Sequence, residues 1–107
     1  MFMLKAVKLA GEAAEEKKAA DIKILDISSR SSFTDYFILA TGLNKIHTRA
    51  VADFVEETLA GQGVLPFSKG GYQEGEWILL DYLDFVVHIF TPEARDYYQL
   101  ERLWHQD

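Results

Sequence analysis

The sequence contains no cysteine, which excludes disulfide bonds and thiolate metal ligands. Long apolar runs are also missing near its start, where Glu12 and the Glu15, Glu16 pair interrupt the first apolar residues before a signal peptide or a membrane span could form. We therefore expect a cytoplasmic protein that has no membrane partner and whose fold depends on packing alone.

Positive charge is scarce in this chain. Eleven basic residues stand against seventeen acidic ones, and the formal net charge is -6. Proteins that bind nucleic acid usually present a basic patch to the phosphate backbone. We therefore expect no direct sequence-specific binding of nucleic acid, and a basic protein surface suits this chain better as a partner.

Common catalytic motifs are absent from the sequence. It has no phosphate-binding loop of the GxxxxGK(S/T) or GxGxxG type and no HExxH zinc motif. The serines of SSRSS, residues 28–32, lack the GxSxG elbow that exposes a nucleophilic serine. We interpret SSRSS as a loop whose hydroxyls cap backbone groups, and we expect neither a cofactor nor a bound metal.

The length and composition of the chain predict one domain over residues 1–107, and the pattern of apolar residues predicts its elements. The length and the 49% hydrophobic content suffice for a single core, and no internal repeat or linker divides the chain. The predicted elements are a helix to about Lys18, strands at 22–27 and 36–41, a helix from Asn44 to near Gly61, strands at 76–82 and 85–90, and a last helix from Thr91 to the end of the chain, carrying Tyr97, Leu100 and Trp104. This order indicates an α+β (mixed α/β) domain, with helices flanking a mixed sheet of about four or five strands.

Two helix starts carry capping signals. Asn44 is predicted to be the N-cap of the second helix. Thr91 is followed by Pro92 and Glu93, which supply a capping hydroxyl, a proline that loses no hydrogen bond in the first turn, and an acid at the positive end of the helix dipole. Residues 64–74 are interpreted as an irregular loop.

The histidines are interpreted as structural or surface residues. His88 lies in a strand and is predicted to be a core or sheet-face residue satisfied by one hydrogen bond. His47 falls in the first turn of the second helix, where a neutral ring fits the positive dipole end better than a charged one. His105 lies in a terminal tail that we expect to fray.

Asp81 and Asp84 are the candidate metal or catalytic carboxylates. If Tyr82 and Leu83 form a two-residue hairpin turn, the aspartates lie across from one another. A hard cation requires about six oxygen ligands, however, and no further acid cluster accompanies them. Solvated aspartates that form the turn are therefore the favoured interpretation.

Strand 76–82 is apolar on both sides. Trp77, Leu79 and Asp81 share one face, whereas Ile78, Leu80 and Tyr82 share the other. Either one face is a binding surface, or helices cover both faces. The periodicity does not decide between these alternatives.

Several stretches of the sequence together resemble one known family over nearly the whole chain. They are Lys17-Lys18-Ala19, Thr34-Asp35-Tyr36-Phe37, Ala40-Thr41-Gly42, Ala52-Asp53, residues 75–82, Val86-Val87-His88-Ile89-Phe90, Pro92-Glu93 with Arg95, and residues 97–104. On these stretches the chain resembles the Iojap family of ribosomal silencing factors, also called RsfS.

The resemblance implies a translation repressor that is not an enzyme. Members of this family bind the large ribosomal subunit through its fourteenth ribosomal protein and block joining of the small subunit when nutrients are scarce. A sheet with flanking helices like that of nucleotidyltransferases is implied, as are homodimers. The family's contact motif maps onto five residues, namely Trp77, Leu79, Asp81, Tyr82 and Asp84.

The fold also permits an alternative, a metal-dependent nucleotidyltransferase-like enzyme that uses Asp81, Asp84 and His88. The sequence departs from such enzymes, since these aspartates are three residues apart rather than two. It departs from the silencing factors at Leu83, where that family commonly has glycine. If this position requires a positive φ, leucine adds strain of about 1 kcal/mol.

Overall fold

The computed structural model describes residues 2–103, with Phe2, Met3 and Leu103 described for their backbone alone. The elements are α1 (Phe2–Glu16), β1 (Ala20–Asp26), β2 (Tyr36–Thr41), α2 (Lys45–Ala60), β3 (Ser68–Gly70), β4 (Trp77–Asp81), β5 (Phe85–Phe90), α3 (Pro92–Tyr98) and α4 (Leu100–Leu103). Trp104 and His105, for which packing and fraying were predicted, lie outside the described residues.

The five strands form one mixed sheet in the order β1-β2-β5-β4-β3. Strands β2 and β5 run parallel in the centre, and the other neighbours are antiparallel. The predicted α+β class with a mixed sheet is confirmed. Strand β3 lies in the segment 64–74 that was predicted to be irregular, so that part of the prediction is wrong.

Helices α1 and α2 cover one face of the sheet. Each contributes small or branched side chains at helical spacing, and these pack on the buried residues of the central strands. The largest contributors are Val7, Val51, Val55 and Leu59 from the helices and Ile38, Ile78, Leu80, Val87 and Ile89 from the sheet. Burial of these apolar residues on folding is the main stabilising contribution.

Helices α3 and α4 cover part of the opposite face. Ala94 of α3 packs with Ile27, Phe37, Leu39, Val86 and Phe90, and Leu100 of α4 lies against the same cluster. Helices therefore lie on both faces, and strand β5 is buried at every residue. The side chains of Trp77 and Leu79 border this second cluster and are only half-buried.

Both predicted N-caps are confirmed. The Asn44 side chain accepts a hydrogen bond of 2.9 Å from the backbone N–H of His47. The Thr91 hydroxyl oxygen accepts one of 3.3 Å from the N–H of Ala94, and Pro92 begins α3. These bonds satisfy backbone donors that a helix start otherwise leaves free.

Side chains at the start of α2 and in the serine-rich loop also have the predicted structural roles. His47 accepts at Nδ1 from the Leu43 N–H (2.8 Å) and donates from Nε2 to the Lys17 carbonyl (2.7 Å), which ties the start of α2 to the end of α1. In the serine-rich loop, the Ser31 hydroxyl oxygen accepts from the backbone N–H groups of Phe33 and Thr34, each at 3.2 Å.

The prediction of one continuous last helix is wrong. Gln99 adopts the left-handed conformation, with φ 48° and ψ 48°, and separates α3 from α4. The break lets the Glu101 carboxylate turn back to the Arg95 guanidinium, with contacts of 3.2 Å at both Nε and Nη2. Arg95 Nη1 also reaches the Thr41 hydroxyl at 2.8 Å. The break at Gln99 thus coincides with the contacts that hold Arg95.

Candidate partner-binding face

Strand β4 sends alternate side chains to opposite faces of the sheet. Ile78 and Leu80 are fully buried beneath α1 and α2, whereas Trp77, Leu79 and Asp81 are half-buried on the other side. This alternation confirms the faces predicted from the sequence. We call Trp77, Leu79 and Asp81, together with the exposed edge strand β3, the open face.

An open recess of about 350 Å³ lies between β3 and the side chains of Trp77 and Leu79. Its outer wall is the backbone of Ser68–Gly70, a strand that is exposed at every residue. Apolar side chains beside a short exposed strand form a surface that an apolar side chain of a partner can enter. The open face therefore has the chemistry of a docking surface.

The indole of Trp77 is held in one orientation. Its N–H donates to Nδ1 of His88 at 3.0 Å. The rings of Phe90 and Tyr98 lie beside the indole, with centroid separations of 5.1 and 4.8 Å. A ring fixed in this way loses little conformational entropy when a partner binds it.

His88 is buried against the rings of Phe37 and Phe90 in the second cluster, with 3% of its surface exposed. Burial lowers its pKa to about 3, so the ring is neutral at neutral pH. Because Nδ1 accepts from Trp77, the proton of the neutral ring is on Nε2, which has no hydrogen-bond partner within residues 2–103. The predicted structural role, a sheet-face histidine with one hydrogen bond, is confirmed.

The predicted hairpin geometry around the two aspartates is wrong. Asp81 pairs with Val86, and the Tyr82 N–H donates to the Phe85 carbonyl at 2.9 Å, so the turn residues are Leu83 and Asp84. Asp81 and Asp84 therefore do not face one another across the turn. The Asp81 carboxylate instead accepts from the N–H of Leu83 at 2.8 Å.

This arrangement does not assemble a metal site from the candidate residues. His88 is buried and accepts from Trp77, while Asp84 is exposed at the turn. Within residues 2–103, no group of three or more histidine or acidic side chains is placed to hold a metal ion. The geometry gives the nucleotidyltransferase-like alternative no support.

Tyr82 lies apart from the other predicted contact residues. Its side chain points into the core beneath α1 and α2, stacks on Phe85 at 4.8 Å and is 7% exposed. Burial is the main cause that raises its pKa to about 12, and a carboxylate, Glu56, adds to the shift. Tyr82 therefore supports the open face from behind, and Trp77, Leu79, Asp81 and Asp84 remain accessible.

Two features of this surface were not predicted from the sequence. Tyr98 packs on Trp77, and its ring also meets that of Tyr97 edge-on at 4.9 Å. Strand β3 supplies the wall of the recess. A three-residue strand gives almost no periodic signal, whereas the adjacent tyrosines could have drawn attention as interface residues.

Comparison with known proteins gives a consistent result. The family model described as "Ribosomal silencing factor during starvation" matches residues 3–107. A ribosomal silencing factor RsfS of Chromobacterium violaceum is 42% identical over 97 residues, covering 91% of this chain and 80% of that protein. The RsfS of Bacillus subtilis is 35% identical over 98 residues, covering 92% and 83%.

Two relatives that are longer than this chain carry related names. The chloroplastic protein Iojap of Zea mays is 37% identical over 102 residues, which cover 92% of this chain and 42% of the maize protein. A mouse relative named mitochondrial assembly of ribosomal large subunit protein 1 is 27% identical over 92 residues, covering 83% and 40%.

Solved structures agree with this assignment. A crystal structure from Chromobacterium violaceum matches with a TM-score of 0.95 at 39% identity, covering 100% of this chain and 89% of the other. One from Bacillus halodurans matches at 0.85 and 32% identity, covering 94% of each. Among the described residues, no helix is long and apolar enough to span a bilayer. The chain belongs to the RsfS family of ribosomal silencing factors.

Proposed function

We propose that this protein represses translation in the cytoplasm by binding the large ribosomal subunit through its fourteenth ribosomal protein. The bound domain then blocks joining of the small subunit by steric exclusion when nutrients are limiting. It acts through binding and not as an enzyme. The family membership supports a silencing role, and the mouse relative's name links that relative to the large subunit.

The open face is the observation that carries this proposal. Trp77 and Leu79 offer apolar area beside the recess, and Asp81 and Asp84 form no ion pair within the described part of the chain. Aromatic anchors with acidic neighbours suit a basic protein surface, which an acidic domain would meet with favourable electrostatics. Ribosomal proteins that contact RNA are commonly basic, so a net charge of -6 is compatible with binding to an RNA machine.

The test is co-sedimentation with isolated large subunits, followed by addition of small subunits. The informative variant is Leu79→Lys, which places a positive charge in the half-buried centre of the open face. We expect about a tenfold or greater loss of binding, together with loss of inhibition of subunit joining. Leu79 is half-buried on the sheet surface, so the fold should survive this change.

The matched control is Ile24→Lys, which makes the same chemical change at the opposite edge of the sheet. Ile24 lies in β1 and is 44% exposed. This variant should bind and inhibit as the wild type does. Equal binding by Leu79→Lys and wild type, or no binding by either, would overturn the proposed function.

The homodimer that the family resemblance implies is part of the same proposal. Sedimentation velocity of the free protein tests it separately from ribosome binding. A single species of about 12 kDa at micromolar concentration would contradict a stable dimer, because the chain mass is 12.2 kDa.

A further inference from the structure

Leu83 occupies a position that disfavours its side chain in the isolated domain. Its φ is 71°, in the left-handed region that favours glycine, and its side chain is 53% exposed. The backbone there is fixed by the Asp81 carboxylate, which accepts from the Leu83 N–H, and by the Asp84 N–H, which donates to the Tyr82 carbonyl at 2.8 Å. Intramolecular packing offsets only part of this strain, since about half of the leucine faces solvent.

Two exposed phenylalanines lie at the same end of the sheet. Phe67 is 71% exposed, and its N–H donates to the Asp81 carbonyl at 2.7 Å. Phe33 is 67% exposed in the loop that leads to β2, where the Asp35 N–H donates to the Asp84 carbonyl at 3.0 Å. We call Phe33, Phe67 and Leu83, with Asp81 and Asp84, the sheet-end patch.

The charge of the patch favours one kind of occupant. Asp81 and Asp84 flank Leu83, and neither forms an ion pair within residues 2–103. Carboxylates in this position repel a phosphate backbone and attract lysine or arginine. Apolar side chains between unpaired acids therefore fit a protein segment that presents an apolar recess bordered by basic side chains.

The patch is continuous with the open face. Asp81 belongs to both, because it ends β4 on the side of Trp77 and Leu79 and also holds the turn that carries Leu83. A partner that covers the open face would reach the turn without a change in the fold of this domain.

We propose that Leu83 is a specificity-determining contact residue, and that the sheet-end patch extends the docking surface onto a basic segment of the bound protein. This inference rests on the proposed function, because the segment belongs to the partner that covers the open face. The backbone strain of the positive φ at Leu83 remains in the free domain, and apolar contact between Leu83 and the partner offsets it in the complex.

The experiment measures stability and binding of the same Leu83→Gly variant. Glycine relieves the strain at φ 71°, so we expect the melting temperature to rise or stay unchanged. Loss of the exposed side chain should nevertheless weaken binding to isolated large subunits, by about tenfold. If Leu83 had only a structural role, a Leu83→Gly variant that is at least as stable as the wild type would bind as well as the wild type.

Two further variants sharpen the test. Leu83→Asn tolerates the left-handed conformation but is polar, so it should weaken binding as glycine does. Asp84→Asn should reduce the salt dependence of binding, because it removes a charge that meets the basic segment. Wild-type binding by both Leu83 variants would overturn the inference, as would binding of the wild type to ribosomal RNA stripped of protein.

The outcomes separate this inference from the proposed function. If Leu79→Lys loses binding while the Leu83 variants keep it, the open face is the docking surface and the sheet-end patch is not part of it. If the wild type itself does not bind large subunits, both proposals fail together.

Discussion

The indole N–H of Trp77 donates to Nδ1 of His88 across 3.0 Å, which joins β4 to β5 on the open face. This N–H is the only conventional hydrogen-bonding group of the indole, and it is used within the domain. A partner on the open face therefore meets Trp77 through apolar ring surface. Specificity must come from shape and from the neighbouring carboxylates.

The Trp77–His88 bond can be tested with a pair of substitutions at residue 88. His88→Leu removes the acceptor, and His88→Asn retains a side-chain oxygen close to the position of Nδ1. We expect the indole N–H of Trp77 to exchange with solvent about ten times faster in the leucine variant and to be protected again in the asparagine variant. The measurement is amide and indole hydrogen exchange by NMR, with the resonance assigned by its loss in Trp77→Phe.

The indole N–H is a better probe here than the free energy of unfolding. His88→Leu leaves the indole donor without a partner, but it also removes the buried Nε2–H, which has no partner within the described residues. The first effect lowers the free energy of unfolding and the second raises it, so the two partly cancel. Equal protection of the indole in wild type and His88→Leu would show that the bond does not hold Trp77.

Acid should destabilise the fold through His88. Its pKa is about 3 in the folded protein and about 6.5 when unfolded. Between these values the unfolded chain binds one proton more, so the free energy of unfolding falls as the pH is lowered from about 6.5 towards 3. We expect the wild type to lose about 1 kcal/mol more than His88→Asn between pH 7.5 and 5.5.

Urea denaturation of both proteins at the two pH values measures this difference. Hydrogen bonds from the Ser28 hydroxyl and N–H lower the pKa of Asp26, so its acid loss begins only below about pH 4, outside this range. That contribution is shared by both proteins and cancels in the comparison. Parallel pH profiles for wild type and His88→Asn would contradict the assignment to His88.

Local signals in the sequence were sufficient for several features of this fold. Asn44 and Thr91 cap helices as expected, because a capping side chain and the N–H it accepts are only three residues apart. The two faces of β4 follow from the alternation of Trp77 and Ile78 onward. The family resemblance added the silencing role, which no residue pattern alone would have supplied.

Other features depend on contacts that are remote in sequence. Strand β3 has no apolar pattern of its own and exists because Ser68–Gly70 pairs with β4. The break at Gln99 lacks the glycine that usually marks the left-handed end of a helix, so the sequence gives no signal for it. The turn at Leu83 and Asp84 is one residue later than predicted, because the register pairs Asp81 with Val86. The pattern of apolar residues does not fix the position of a turn to within one residue.

Replacement of Arg95 should lower the free energy of unfolding more than replacement of any other polar residue in the C-terminal region. Arg95 is 9% exposed, and its guanidinium donates to the Asp21 carbonyl at 2.6 Å, to Thr41 and to Glu101. Arg95→Met would remove this donor from all three acceptors, at a cost of about 2 to 4 kcal/mol. The partial exposure of Glu101 keeps this cost below that of a fully buried pair.

Arg102→Met is the matched control for Arg95. Arg102 is exposed, and it donates to the Gln99 side chain at 2.7 Å. Its replacement should change the free energy of unfolding by no more than about 0.5 kcal/mol. Urea denaturation of both variants provides the comparison, and similar costs at the two positions would rule out a special role for Arg95.

Gly70 and Gly71 provide an internal comparison beside the open face. Gly71 has φ +74°, and a Cβ there would run into the carbonyl oxygen of Trp77, whereas a Cβ on Gly70 meets nothing within 4 Å. Gly71→Ala should therefore cost about 2 kcal/mol or more and move β3 away from Trp77. Under the proposed function, this change would also weaken binding to large subunits. Gly70→Ala should be neutral, or stabilising by about 0.5 kcal/mol, since alanine suits a strand better than glycine. Thermal denaturation and co-sedimentation of the two variants test this expectation, and equal effects at the two positions would show that the close approach of Gly71 to Trp77 does not shape the recess.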